Sequence, residues 1–169
     1  MAKKVNNKQI FFLAALFFGV VAIAMFFLPF VKYRVGNDTA YTEALFSGFN
    51  CAFSAEKIQM KLVAGDSSIS AGLMSTKLVP VALIVGILLV VAVVAALLTK
   101  IVDKKKVFIV KVVAAGLFVA SAILAVALVK ASFISVNEIE SIKDDFNVGI
   151  GAILTCVFSA LAGAGIFLS

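Results

Sequence analysis

The sequence predicts an all-α transmembrane four-helix bundle carrying a small extracellular antiparallel β-sheet subdomain, as one integral membrane domain over residues 1–169. Three observations predict it. The chain is 63% hydrophobic and only 14% charged, with a mean hydropathy of +1.18. A soluble globular domain averages roughly 45–50% apolar and about 25% charged. Four apolar runs each have the ~20 residues that a bilayer core of ~30 Å requires. The basic residues are shared unequally between the two sets of connections.

The four runs are Ile10–Val31, Leu78–Leu98, Val107–Val129 and Val148–Leu168. None contains Asp, Glu, Arg or His. Lys111, the one charge inside them, lies near an end, where its stem can snorkel to the headgroups. Lys3 and Lys4 before an apolar stretch with Ala22-Ile23-Ala24 have the outline of a secretory signal and its cleavage site. The run continues through Met25–Phe30, longer than a signal's apolar region, and reads as an uncleaved first span. Pro29 near the end of span one and Pro80 in the first turn of span two are tolerated positions for proline.

Orientation follows from the lysines. The N-terminal segment and the tight loop 99–106, with Lys111, hold eight lysines against Asp103 alone. The loops 32–77 and 130–147 hold seven basic residues against eight acids. The positive-inside rule then places both termini and the tight loop in the cytoplasm, and the longer loops outside the cell membrane. The surplus of +6 is membrane electrostatics and needs no nucleic acid.

The outer loops carry patterns of their own. Val31–Val35 alternates apolar and charged residues, the period of a half-buried strand, and Gly36-Asn37-Asp38 follows as turn chemistry. Lys57–Leu62 alternates again before the break at Ala64–Ser68. Phe49, Cys51 and Phe53 share one parity and read as a further strand, while Thr42–Ser47 reads as a helical turn ended by Gly48. In the smaller loop Ser132–Val136 is a strand candidate, and Asn137 with Glu140 caps a short helix, Glu138–Lys143. A sheet is expected in which the strand at Val31 pairs with Lys57–Leu62 and the second loop supplies an edge. Tyr33, Phe49, Phe53, Ile58, Met60 and Leu62 then form either the loop's own core or an interaction surface.

In lipid, helices associate through close packing at small residues. Span four has two such rows, Gly151, Thr155, Ser159 and Gly163 beside Ala152, Cys156, Ala160 and Ala164, which define a helix-packing face. Span one instead supplies bulk through its phenylalanines.

Absences exclude chemistry. With no His and no carboxylate in any span, there is no intramembrane proton relay, charged-substrate site or protease constellation. Two cysteines, Cys51 and Cys156, lie too far apart in the expected layout for a disulfide, and no C-x-x-C pair exists. No metal or cofactor site is expected. Glu138, Glu140, Asp144 and Asp145 form a solvated face or a weak divalent-cation site, without the spacing of a calcium loop. Asn37-Asp38-Thr39 matches a glycosylation acceptor, relevant only in a eukaryotic host.

The order of span, strand-bearing large outer loop, span, tight basic inner loop, span, short outer loop and span resembles the claudin-like four-span architecture. That resemblance implies outer-loop strands forming a small sheet above a left-handed bundle. The claudin outer-loop signature of a Trp followed by a Cys pair is missing, so no junction-forming role carries over to any residue. Leu28-Pro29-Phe30 and Ser47-Gly48-Phe49 are similar to elements of small uncharacterised four-span proteins of Gram-positive bacteria, a resemblance that implies no activity. The expectation is a non-enzymatic membrane protein acting through assembly, as a homo-oligomeric scaffold or accessory subunit. Its partners would be membrane lipids, copies of itself or another membrane protein. The alternative is a pore or channel subunit with a path lined by Ser121, Thr155 or Ser159.

Overall fold

The computed structural model describes residues 7–53, 58–74, 80–127 and 146–169. Its elements in chain order are α1 (Asn7–Met25), β1 (Pro29–Gly36), β2 (Ala40–Ser47), α2 (Gly48–Phe53), β3 (Ile58–Ala64), β4 (Ser67–Met74), α3 (Pro80–Leu98), α4 (Lys104–Ala127), β5 (Phe146–Val148) and α5 (Ile150–Leu168). Four of these helices, α1, α3, α4 and α5, are long and apolar enough to cross a membrane, and they point to a multi-pass membrane protein. Many of their large apolar side chains face outward, including Leu13, Phe17, Phe108, Ile123 and Phe167. Apolar exposure of this extent suits lipid surroundings and not water.

Each helix turns a narrow stripe inward. On α1 the buried positions are Phe12, Ala15, Gly19 and Ala22, at helical spacing of three and four. On α5 the stripe runs Gly151, Thr155, Ser159, Ala162 and Ile166. The helices form a ring in which α5 packs closely on both α1 and α4, α4 packs on α3, and the α1–α3 seam is the loosest.

The first apolar run was expected to cross as helix to Val31, and it does not. The helix ends at Met25, and the N–H groups of Phe26, Phe27 and Leu28 bond back three residues to Ile23, Ala24 and Met25. These tightened turns lead to Pro29, which opens β1 where a missing N–H is harmless. Phe30 and Val31 are fully buried as strand residues, so their hydropathy reflects the sheet's core.

The sheet is antiparallel and five-stranded, in the order β4-β3-β2-β1-β5. The expected pairing of the Val31 strand with Lys57–Leu62 is corrected: β1 pairs with β2 and β5, and β3 lies between β2 and β4. The segment Thr42–Ser47 is part of β2, with Ala44 and Phe46 buried in strand alternation, and not a helical turn. Phe49, Cys51 and Phe53 lie on helix α2 and not on a strand. The Ser47 hydroxyl oxygen accepts the Asn50 N–H at 3.0 Å, capping that helix at its start. The expected strand Ser132–Val136, the helix Glu138–Lys143 and the acids Glu138, Glu140, Asp144 and Asp145 lie outside the described residues. The edge strand that the second loop contributes is β5, directly before α5.

Two apolar clusters make the core. One, at the sheet end, joins Phe26, Phe30, Phe46, Cys51, Val85 and Leu89. The other, toward the opposite end, joins Phe12, Ala96, Phe118, Ala162 and Ile166. The first ties helices, α2 and sheet into one packed body.

Candidate functional site

Three features stand out, the first two at the sheet end and the third along a spanning helix. The first is strand β4. It forms one edge of the sheet, its eight residues include no charge and no proline, and no described element covers it. Its ladder with β3 is regular from Ala64↔Ser67 to Lys61↔Ser70 and shifts between Met60 and Lys61. A two-residue Gly65-Asp66 turn joins the strands, with Gly65 at φ 58°. Ile69 is well exposed on this edge.

The second is a crevice of about 380 Å³ between α1, α2 and α3, within the size range of small-molecule pockets. Ile23, Phe26 and Phe27 form one wall and Leu83, Ile87 and Val90 the other. Across its sheet end lie Phe49 and Phe53, 4.8 Å apart between ring centroids, with Phe27 stacked on Phe49 at 5.4 Å. Gly86, the one glycine on α3, also lines the crevice, where a Cβ would meet the Phe26 ring at 3.5 Å. The lining is apolar throughout, so it offers shape and dispersion and no acid, base or nucleophile.

The third is the face of α5. Gly151, Thr155, Ser159, Gly163 and Ala152 are buried, Cys156 is half-buried, and Ala160 and Ala164 are exposed. The Thr155 hydroxyl donates to the Ala22 carbonyl oxygen at 3.5 Å, across to α1. The Ser121 hydroxyl donates within its own helix to Phe118 at 2.8 Å. The Ser159 hydroxyl is buried without a partner.

The residues expected to form an interaction surface are divided by the fold. Tyr33 and Met60 pack against the sheet-end core, Leu62 is exposed on β3, and Phe49 and Phe53 border the crevice. The side chain of Ile58 lies outside the described residues. The sequence reading missed β4, because Ser and Gly dominate it, and it missed the crevice, which exists only once α2 is a helix.

The reactive side chains among the described residues are few. Cys51 and Cys156 are both free thiols. Cys51 is fully buried, and burial pushes its thiol pKa up to about 12, so it stays protonated and unreactive at neutral pH. Among the described residues, no group of His, Cys, Asp and Glu could hold a metal ion. On the sheet, Glu43 pairs with Lys32 at 3.2 Å, and Arg34 sits 3.9 Å over the Tyr41 ring while reaching Asp38 at 3.8 Å. These contacts brace β1 against β2. No protein-family model matches the chain, and no curated protein matches it in sequence.

Proposed function

We propose that the chain is a non-enzymatic, multi-pass protein of the cell membrane that acts by assembly, as a scaffold or accessory subunit. The lysine asymmetry supports cytoplasmic termini and an extracellular sheet. A sheet built from both longer loops at one end of a four-helix ring supports the claudin-like layout. The missing Trp and Cys pair leave the claudin junction role without support.

The observation that carries this reading is the β4 edge. Natural sheets guard long edges with charge, proline, bulges or covering elements. Here a bulge interrupts β4 after Ser70, and Ser67–Ser70 ahead of it presents an uncharged, regular edge, suited to adding a short extended segment from a partner. The strand runs from the Gly65-Asp66 tip back toward α3. Two copies side by side in one bilayer would therefore present β4 in the same direction and pair in the less stable parallel sense. That favours a segment of a different protein at this edge. Ser121, Thr155 and Ser159 all turn into the chain's own bundle, which keeps these three hydroxyls from lining a path between copies.

Cysteine crosslinking in native membranes tests the reading, in a chain carrying Cys51→Ala and Cys156→Ala. Ser68→Cys and Ser70→Cys should form intermolecular adducts, and Asn37→Cys on the hairpin tip should not. Equal yields at all three positions, or monomer alone, would remove the proposal.

A further inference from the structure

The crevice between α1, α2 and α3 lies where the helix ring is most open. Helix α1 packs closely on α5 but loosely on α3, and α2 packs against α3 at the sheet end of that seam. The Phe49 N–H donates to the Phe26 carbonyl oxygen at 3.3 Å, which pins α2 to the end of α1 as a roof. Phe26, Ala52 and Leu89 form a buried floor, while Phe27, Ile87 and Val90 are exposed rims. The crevice is therefore a slot cut into the bundle and not a flat patch.

On α3 the lining runs from Leu83 to Val91, eight residue steps, or about 12 Å along the helix axis at 1.5 Å per residue. One leaflet's share of a ~30 Å hydrocarbon core is about 15 Å. These positions belong to the half of α3 nearer the sheet, so the slot follows most of one leaflet.

Size and lining decide what can fill it. None of the twelve lining residues is polar. Its 380 Å³ would take about a dozen waters at ~30 Å³ each, and every buried water needs two or more polar partners. A helix about 10 Å across takes about 900 Å³ over the same length, more than twice the space present. Left empty, the floor and walls would forfeit their dispersion contacts. A single hydrocarbon chain meets all three conditions: it is narrow, needs no hydrogen bond, and is supplied sideways by the bilayer. We propose that the crevice is a binding site for one acyl chain of a phospholipid from the leaflet at the sheet end. The chain enters between the Phe27 and Ile87 rims and lies under the Phe49 and Phe53 rings, its terminal methyl toward Val91. It thereby closes the ring between α1 and α3. Apolar burial gives no gain over lipid, so retention comes from contact on three sides, which a lipid on the outer faces lacks. The site rests on the helices spanning a membrane and needs no partner at β4.

The test carries the full chain from phosphatidylcholine nanodiscs into mild detergent, which strips loosely held lipid, and reads it by native mass spectrometry. One phosphatidylcholine per chain should be retained. Ile87→Trp fills the slot from its rim and should lower the retained fraction at least about fivefold, the smallest effect expected of overpacking. Phe53→Ala removes part of the roof at a side chain already exposed, and should lower it too. Ile123→Trp, at an outward position of α4, should leave it unchanged. With a diazirine at one acyl terminus, the retained lipid should label α3 at Val90 and Val91 and not α4. Added phosphatidylcholine should raise the unfolding temperature of the parent more than that of Ile87→Trp. A parent that retains no lipid, an equal loss for Ile123→Trp, or label spread evenly over α3 and α4 would overturn the proposal. So would a parent dimer that Ile87→Trp disrupts, which would assign the crevice to a second copy.

Discussion

Gly151 on α5 rests directly on the backbone of Leu28: a Cβ at residue 151 would lie 2.7 Å from the Leu28 carbonyl oxygen. Backbone cannot swing aside as a side chain can. Gly151→Ala should therefore separate α5 from the α1–β1 junction and destabilise the fold by about 1–3 kcal/mol, the usual range for overpacking. Gly116, on α4, has open space where its Cβ would go. Gly116→Ala should hold or raise stability by about 0.5–1 kcal/mol through reduced chain entropy. Unfolding in detergent mixtures reads both, and identical midpoints for the two variants would refute the comparison.

The buried hydroxyls of Ser121 and Ser159 should respond in opposite directions. The Ser159 hydroxyl has no partner, so Ser159→Ala removes an unsatisfied group and should be neutral or stabilising by about 1–3 kcal/mol. Ser121 donates to the Phe118 carbonyl, so Ser121→Ala should lose about 0.5–1.5 kcal/mol. The same unfolding titration distinguishes them.

Cys51 makes stability depend on pH at the alkaline end. Its thiol pKa is raised by burial from 9.0 to about 12 in the folded chain. The unfolded chain releases this proton first, so the stabilising contribution is complete below about pH 9 and is lost as pH climbs toward 12. Cys51→Ala should flatten that part of the stability profile. At neutral pH a maleimide should modify Cys51 only after unfolding.

Sidedness can be read with impermeant thiol reagents on whole cells, in the cysteine-free chain. Asn37→Cys at the hairpin tip should label in intact cells, whereas Lys105→Cys should label only after permeabilisation. The reverse pattern would invert the proposed orientation.

The four long helices were legible because an apolar run of bilayer length has few other uses. Where span one stops was not legible from hydropathy. Phe26, Phe30 and Val31 are as apolar as the helix before them, yet they are buried by the sheet and α2. Thr42–Ser47 contains Glu-Ala-Leu, good helix formers, but Ala44 and Phe46 pack on one face of a strand, and tertiary burial overrode propensity. Phe49, Cys51 and Phe53 misled for the opposite reason. Their alternation imitates a strand, while Gly48, Cys51 and Ala52 form the buried face of a short helix. Strand β4 left almost no signal, since Ser and Gly are weak strand formers and the ladder with β3 supplies its order. For the site, the small residues of α5 were visible as a pattern. Which row turns inward depended on the neighbours that α5 meets.

The Gly149 N–H donates to the Phe30 carbonyl oxygen at 2.8 Å, at the point where β5 becomes α5 beside the start of β1. β1, which follows α1 after three residues, and the edge strand β5, which leads into α5 through Gly149 alone, are thereby held side by side. A load on the sheet would therefore reach the bundle at the α1–α5 pair, the seam where its helices pack most closely.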